Sequence, residues 1–345
     1  MNRAWSRVAA TLGGWEAAYR IRSLGAFEPT RWVWSRGLAL CCDHDGGALF
    51  VRGQRGARAP LRFNARDFER VRDGDLVWTR LTALPQFLAE ALPRINARFA
   101  LLTGDEDWSI PGGFAGSQAL LDSPKLLYWF SQNLDSAARH PKFQVLPIGL
   151  DFHTISNGPR WGHERATPAE QEAELEVLRA EMPATEDRLL SAHADFHFNK
   201  RKDQTWGDDR DSVQRVLAGN PSVVFQAKKL KRIELWREKT RYAFVVSPHG
   251  NGLDCHRTWE SLVLGNIVIV KRSSIDALYA GLPVVIVDDW REITARNLAR
   301  WHAEHGAAFR RPEVLERLTN RYWIERARAL STSALGGAAS AGPAR

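Results

Sequence analysis

FVVSPHGNGLDCHRTWESLVLGNIVIV, residues 244–270, decides how the rest of the chain is read. It opens on a buried-type apolar run, 244–248, and enters a turn holding Gly250 and Gly252. Asp254 stands where a helix N-cap is expected, and the helix 255–265 closes on Gly265. A second apolar run, 267–270, follows. Strand, glycine turn, capped helix and strand, with apolar runs that do not alternate, form the repeating unit of a parallel α/β sheet.

That unit implies anion binding. Ligands of open α/β sheets lie beyond the carboxyl ends of the strands, where a helix N-terminus presents free N–H groups and partial positive charge. Ser247, His249 and Asn251 share this turn with Gly250 and Gly252, and the two glycines would let a ligand approach the backbone. Asp254 completes the turn. His256 and Arg257 lie in the first helical turn as cationic donors for a diphosphate. Glu260, three residues after Arg257 on the same helix face, can accept from two ribose hydroxyls. The same pattern also suits a tight turn with an Arg257–Glu260 surface pair. The dinucleotide fingerprint is not met, because its third glycine is missing.

Working outward, strands and helices alternate through the second half: strands at 188–196, 222–226, 284–289 and helices at 209–220, 230–243, 274–282 and 293–306. Before it, apolar runs at 76–79, 99–104, 126–130 and 145–150 predict four more strands, with a helix over 82–98 that Pro93 kinks or ends. The charged stretch 160–188 predicts a surface helix linking two halves. Trp32, Trp34 and 38–42 suggest short strands, with a hairpin completed by 48–53. The expectation is an α/β chain of two Rossmann-like domains facing a cleft, 1–185 on the acceptor side and 186–330 binding nucleotide. Residues 331–345, rich in Ala, Gly, Ser and Pro, are expected to be a disordered tail.

Composition bounds the class. With 345 residues, 44% hydrophobic and 26% charged, the chain fills two ordinary domains. Its three cysteines make no disulfide framework and no zinc spacing, which favours a reducing, cytoplasmic setting. The first residues lack a signal-peptide core and no apolar stretch is long enough to span a membrane. Residues 1–100 hold 16 Arg, no Lys and 9 acidic residues. Such a surplus suits an anionic membrane surface, an acidic glycan or, less readily, nucleic acid, and equally a plain Arg-rich surface.

Residues 242–270 resemble the donor-site segment of exostosin-type glycosyltransferases and their bacterial and viral relatives, which have the GT-B fold. Arg257, Glu260, Gly265 and the strand 267–270 occupy the matching places; Val268 stands where relatives commonly have Pro. Residues 121–125, 129–133, 146–150 and 283–290 are similar to further segments of these relatives, so the resemblance covers about 75–305. It implies transfer of a sugar from a nucleoside diphosphate sugar to a hydroxyl of a glycan or lipid-linked glycan, as in polysaccharide biosynthesis, with inversion. No cofactor and no metal are implied.

In that reading Arg257, with Arg201 or Lys200 after the first strand of the second domain, offsets the diphosphate charge. Glu260 holds the ribose. Lys271, at another strand end, reaches phosphate or sugar unless Ser273 or Ser274 merely caps a helix. The base that deprotonates the acceptor is expected among Asp105 and Asp107, with Asp151 and His153 as weaker choices. Trp108 and Trp290 are the tryptophans expected at the cleft. Two alternatives stand beside this reading: a glycosyltransferase acting on DNA bases, and a nucleotide-sugar or glycan-binding protein without catalysis.

Overall fold

A computed structural model describes residues 30–44, 65–196 and 209–340. The first described element is a helix, α1 (Ser35–Cys41). Four parallel strands follow, β1 (Leu76–Arg80), β2 (Phe99–Gly104), β3 (Leu126–Ser131) and β4 (Phe143–Val145), paired in that order. Helix α2 (Pro168–Glu181) leads to the second half. There β5 (Leu189–Ala194), α3 (Asp209–Leu217), β6 (Val223–Phe225), α4 (Arg232–Lys239), β7 (Tyr242–Val246), α5 (His256–Val263), β8 (Ile267–Lys271), β9 (Val284–Val287) and α6 (Ala295–His305) alternate. The described residues end in α7 (Asn320–Ser340).

The second sheet is parallel in the order β6-β5-β7-β8-β9. The chain runs outward one way from β5 to β6, then returns past β5 to β7 and continues the other way. The strand order therefore reverses between β5 and β7. At such a switch point the flanking connections leave in opposite directions and open a crevice at the carboxyl ends of the strands. Strands β2 and β7 are buried along their whole length, as their unbroken apolar runs require. The α/β expectation with two parallel sheets is met.

Several local expectations are corrected. Residues 38–42 do not form a strand: Ser35–Ala39 are buried together in α1. An apolar run buried on every side carries no period by which helix and strand can be told apart. Residues 45–53 lie outside the described residues. The helix read over 82–98 is a succession of 3-10, α and π turns from Leu81 to Arg94, since Pro85 and Pro93 lack the N–H that a regular ladder needs.

Of 145–150 only Val145 is in β4. Pro147 cannot donate to the ladder, and Gly149 turns at φ +68° to bring Leu150 N to Val33 O at 2.8 Å. Residues 274–282 form only a 3-10 turn at Asp276–Tyr279.

The surface helix read over 160–188 is also a strut. In α2 the Glu172 carboxylate accepts from the N–H groups of Arg31 and Trp32, and Arg179 Nε donates to Val263 O at 2.8 Å. Its start is set by Thr167 and Glu170, which cap each other's backbone.

The tail is helical through Ser340, not disordered; residues 341–345 lie outside the described residues. Helix α7 packs on α1, β2 and β3. Spatially the last stretch thus belongs with the first sheet, although the expected division ends the second domain at residue 330. Among the described residues no helix is long and apolar enough to cross a membrane.

Candidate functional site

A cleft of about 820 Å³ opens at the carboxyl ends of β5, β6 and β7. Its floor is a charge cluster at the switch point. Asp195, one residue past β5, is almost fully buried; Lys239 Nζ lies 2.9 Å from its Oδ2 and Arg257 Nε 3.0 Å from its Oδ1. Burial alone would raise this carboxyl, but Lys239 and Arg257 hold it down at about 2.

Lys239, at the end of α4, also sits 3.9 Å from Glu260 Oε2. Arg257 lies over the Phe196 ring at 5.6 Å, and its Nη1 donates to Pro248 O at 3.4 Å. Glu260 keeps part of its side chain exposed to the cleft. Helix α5 points its N-terminus into the same space, as the sequence requires. Arg210, on α3, donates from Nε to His249 O at 3.1 Å and lines the cleft as well.

The expected donor residues divide. Gly250, Asn251, Gly252, Asp254, His256, Arg257 and Glu260 line the cleft. Ser247 does not: it is buried against Thr258, Oγ to Oγ1 2.9 Å. Nor does His249, whose Nδ1 is 2.8 Å from Leu253 O, nor Lys271 at the end of β8. Neither Ser273 nor Ser274 lines the cleft: Ser273 N donates to Asp276 Oδ1 while its Oγ is buried without a hydrogen-bond partner among the described residues, and Ser274 Oγ donates to Leu134 O. Lys200 and Arg201 lie outside the described residues.

Asp254 does not cap α5; Cys255 holds that position without a side-chain bond. The Asp254 carboxylate instead accepts from Ile148 N at 2.8 Å, from Cys255 N at 2.9 Å and from Trp259 Nε1 at 2.8 Å. Asn133 Oδ1 accepts from Asp254 N at 2.9 Å. These bonds tie α5 to the ends of β3 and β4, so the residue fixes one half against the other. Burial outweighs its partners and raises its carboxyl to about 6. Gly252 is required for the same reason. A Cβ there would lie 2.8 Å from the Asn133 amide, so the glycine admits a protein side chain.

The two expected bases also part company. Asp107 lines the cleft. Asp105 does not. Its residue turns at φ +65°, and its carboxylate is sealed between Arg36 Nε, at 3.1 Å, and Arg80 Nε, at 3.2 Å. Arg80 also pairs with Glu106. Burial would raise Asp105, but Arg36, His153 and Arg80 lower it, so it is an ionised structural anchor. Arg36 comes from α1, the segment whose helix the sequence conceals.

On the side of the first sheet, Asp151, His153 and His256 place ligating atoms within 4.8 Å of one another. Asp151 accepts from Thr154 N at 2.9 Å and Thr154 Oγ1 at 2.7 Å. It is held at about 2, because His153, His256 and Thr154 overcome the effect of burial. The three donors, N, N and O, match in kind those that hold borderline divalent cations.

Trp290 is buried in the core of the second sheet and Trp108 packs half-buried against the other hydrophobic cluster; Trp161 and Trp236 line the cleft instead. His193 stacks on Tyr242, ring centroids 5.0 Å apart. Sequence reasoning missed Asp195, Lys239 and Arg210. Asp195 had a usable signal, a carboxylate directly after an apolar strand. Lys239 had none, since it reads as the charged end of a surface helix.

No family model and no curated protein matches the chain. Among solved structures it is similar to an alpha,alpha-trehalose 6-phosphate synthase from Burkholderia multivorans, at 14% identity, covering 81% of this chain and 75% of that one, with a TM-score of 0.44. A UDP-forming alpha,alpha-trehalose-phosphate synthase from Burkholderia xenovorans gives 12% identity, 94% and 86% coverage and a TM-score of 0.44. A trehalose-6-phosphate protein from E. coli, bound with UDP-2-fluoro glucose, gives 11%, 79% and 76%, and 0.35. The two-sheet α/β architecture stated above rests on strand order and register.

Proposed function

We propose that the chain is a glycosyltransferase of GT-B architecture, taking a sugar from a nucleoside diphosphate sugar to a hydroxyl of a glycan or lipid-linked glycan, without a metal and with inversion. The observation that supports this best is the set Asp195, Lys239, Arg257 and Glu260 at the β5/β7 switch point, beneath the N-terminus of α5. Asp195 orients two cations that face the cleft. Arg257, with Arg210 and the helix N-terminus, receives the diphosphate, while the buried Lys239 holds Asp195 and stands beside Glu260. Glu260 accepts from the ribose hydroxyls.

The main catalytic effect in this reading is stabilisation of the leaving diphosphate by donors already in place before reaction, since Asp195 and Phe196 hold the Arg257 guanidinium. The acceptor enters from the side of Asp107, Asp151 and Trp161. A thermal-shift screen of UDP, GDP, CDP and ADP and their sugars, with and without a divalent metal, tests it. One diphosphate should stabilise the protein selectively, and Glu260→Ala should remove the effect; no shift with any at millimolar concentration contradicts it.

A further inference from the structure

Nucleotide binding as described leaves Asp151 and His153 without a role, and uses only the position of His256. Among the described residues these three form the one group of His, Cys, Asp or Glu side chains whose ligating atoms all lie within 4.8 Å of one another. They come from both halves of the chain. Asp151 and His153 stand beyond β4, with His153 opening the short helix His153–Asn157, and His256 opens α5. The two imidazole rings meet across the seam, centroids 5.4 Å apart.

Two features of the group point to an ion. The first is the approach of His153 Nδ1 to Asp151 Oδ1. They are 3.0 Å apart, yet Nδ1 is sealed from solvent and makes no hydrogen bond. A buried polar atom in this condition calls for a water or an ion. Two ligands held about 2.0–2.2 Å from one Zn²⁺ are about 2.8–3.6 Å apart at the usual angles, so a contact that is wrong for a hydrogen bond is right for a shared metal. Arg36, the opposing charge nearest His153, is committed to Asp105 at 3.1 Å.

The second feature is how the ligands are held from behind. His256 Nδ1 lies 2.7 Å from the Gly149 carbonyl oxygen, so it donates there and leaves the lone pair of Nε2 for an ion. The Asp151 carboxylate accepts from Thr154 N at 2.9 Å and Thr154 Oγ1 at 2.7 Å, which fixes its plane. Metal-bound imidazoles and carboxylates are oriented by outer bonds of this kind.

We propose that Asp151 Oδ1, His153 Nδ1 and His256 Nε2 bind one divalent transition-metal ion, with Zn²⁺ the best match to the donors, and that the ion pins the start of α5 to the first half of the chain. Closing the three atoms onto it takes side-chain shifts of about 1 Å or less. Asp151 and His256 line the cleft, so the fourth position is open to the cleft and is filled by water. The ion is a structural clamp. No step of the transfer proposed above passes through it, and the inference stands whether or not that reading holds.

The full chain, stripped with EDTA and freed of any affinity tag, is titrated with Zn²⁺, Co²⁺ and Mg²⁺. Wild type should take up one equivalent of Zn²⁺ or Co²⁺ in preference to Mg²⁺, and bound Co²⁺ should show the strong visible absorption of a four-coordinate ion. Its thermal midpoint should rise with Zn²⁺, and amide exchange at the start of α5 should slow. His153→Ala and His256→Ala should each weaken Zn²⁺ binding about 100-fold or more. Thr154→Val leaves all three ligands in place and should weaken it about 10-fold, the lower end of what outer partners command. Circular dichroism of the stripped proteins shows whether the alanine variants fold; where one does not, His153→Gln and Thr154→Val decide.

No uptake by wild type from micromolar Zn²⁺ overturns the proposal. So does binding within about 3-fold of wild type in the His153 and His256 variants, a spread smaller than even an outer partner commands, because the ion then sits on other residues. Preference for Mg²⁺ contradicts the donor set. Zn²⁺ bound with unchanged exchange at the start of α5 overturns the clamp.

Discussion

The Nζ of Lys239, the last residue of α4, lies 2.9 Å from the Oδ2 of Asp195, which follows β5, and both side chains are all but sealed from solvent. Arg257 takes the other oxygen. Removing the carboxylate strands two cations in a low-dielectric site. Asp195→Ala is therefore expected to cost about 3–5 kcal/mol at neutral pH, the range for breaking a buried pair. Because the folded carboxyl is depressed to about 2, its contribution is complete above the ordinary carboxylate range and is lost as pH falls through about 2. Urea unfolding at pH 7, 5 and 3 checks this: the gap between wild type and variant should narrow toward acid. A constant gap would contradict it.

Gly149 holds the seam in a different way. It turns at φ +68°, and a Cβ there would lie 2.1 Å from the Val33 carbonyl oxygen, a backbone atom that cannot give way. Its own carbonyl receives His256 Nδ1. Gly149→Ala should cost about 1–3 kcal/mol from the left-handed backbone alone, and more from the clash. A fall in thermal midpoint is the expected result; an unchanged midpoint would mean that the β4 exit does not run against α1.

The end of the chain gives a third expectation. Ser331 is fully buried in α7, and its Oγ donates to Gly74 O at 3.1 Å. Ser331→Ala should cost about 1 kcal/mol for the bond, and truncation after Leu330 more, because it also removes the last turns of α7. Denaturant midpoints of the two variants separate a docked helix from a loose tail, which would show neither loss.

What the sequence disclosed follows from periodicity. The strand–helix alternation of the second half was legible because β7 and β8 are apolar runs, a turn holding Gly250 and Gly252 separates β7 from α5, and Gly265 separates α5 from β8. Arg257 and Glu260 were legible because one helix carries both into the cleft. Residues whose roles depend on distant partners were not. Asp105 reads as a free carboxylate at a strand end until α1 brings Arg36 against it, and α1 itself is hidden by burial on every side. Asp254 reads as a cap because its partner, Ile148, is 106 positions away. Lys239 enters the site from the far end of a helix that also carries the exposed Glu234 and Arg237. Pro147 stood unread inside the apolar run 145–150, and the Gly149 contact with Val33 has no local signal.

The central claim is that the β5/β7 switch point receives a nucleoside diphosphate. Titration calorimetry of wild type, Arg257→Ala and Glu260→Ala with UDP, GDP, CDP and ADP, each beside its parent nucleoside, tests it most directly. Wild type is expected to bind one diphosphate at least about 10-fold more tightly than its nucleoside, a difference of about 1.4 kcal/mol. Arg257→Ala should erase most of that preference, and Glu260→Ala should weaken diphosphate and nucleoside alike, since the ribose is common to both. Equal binding of nucleoside and diphosphate, or no heat with any of the four, would contradict the account.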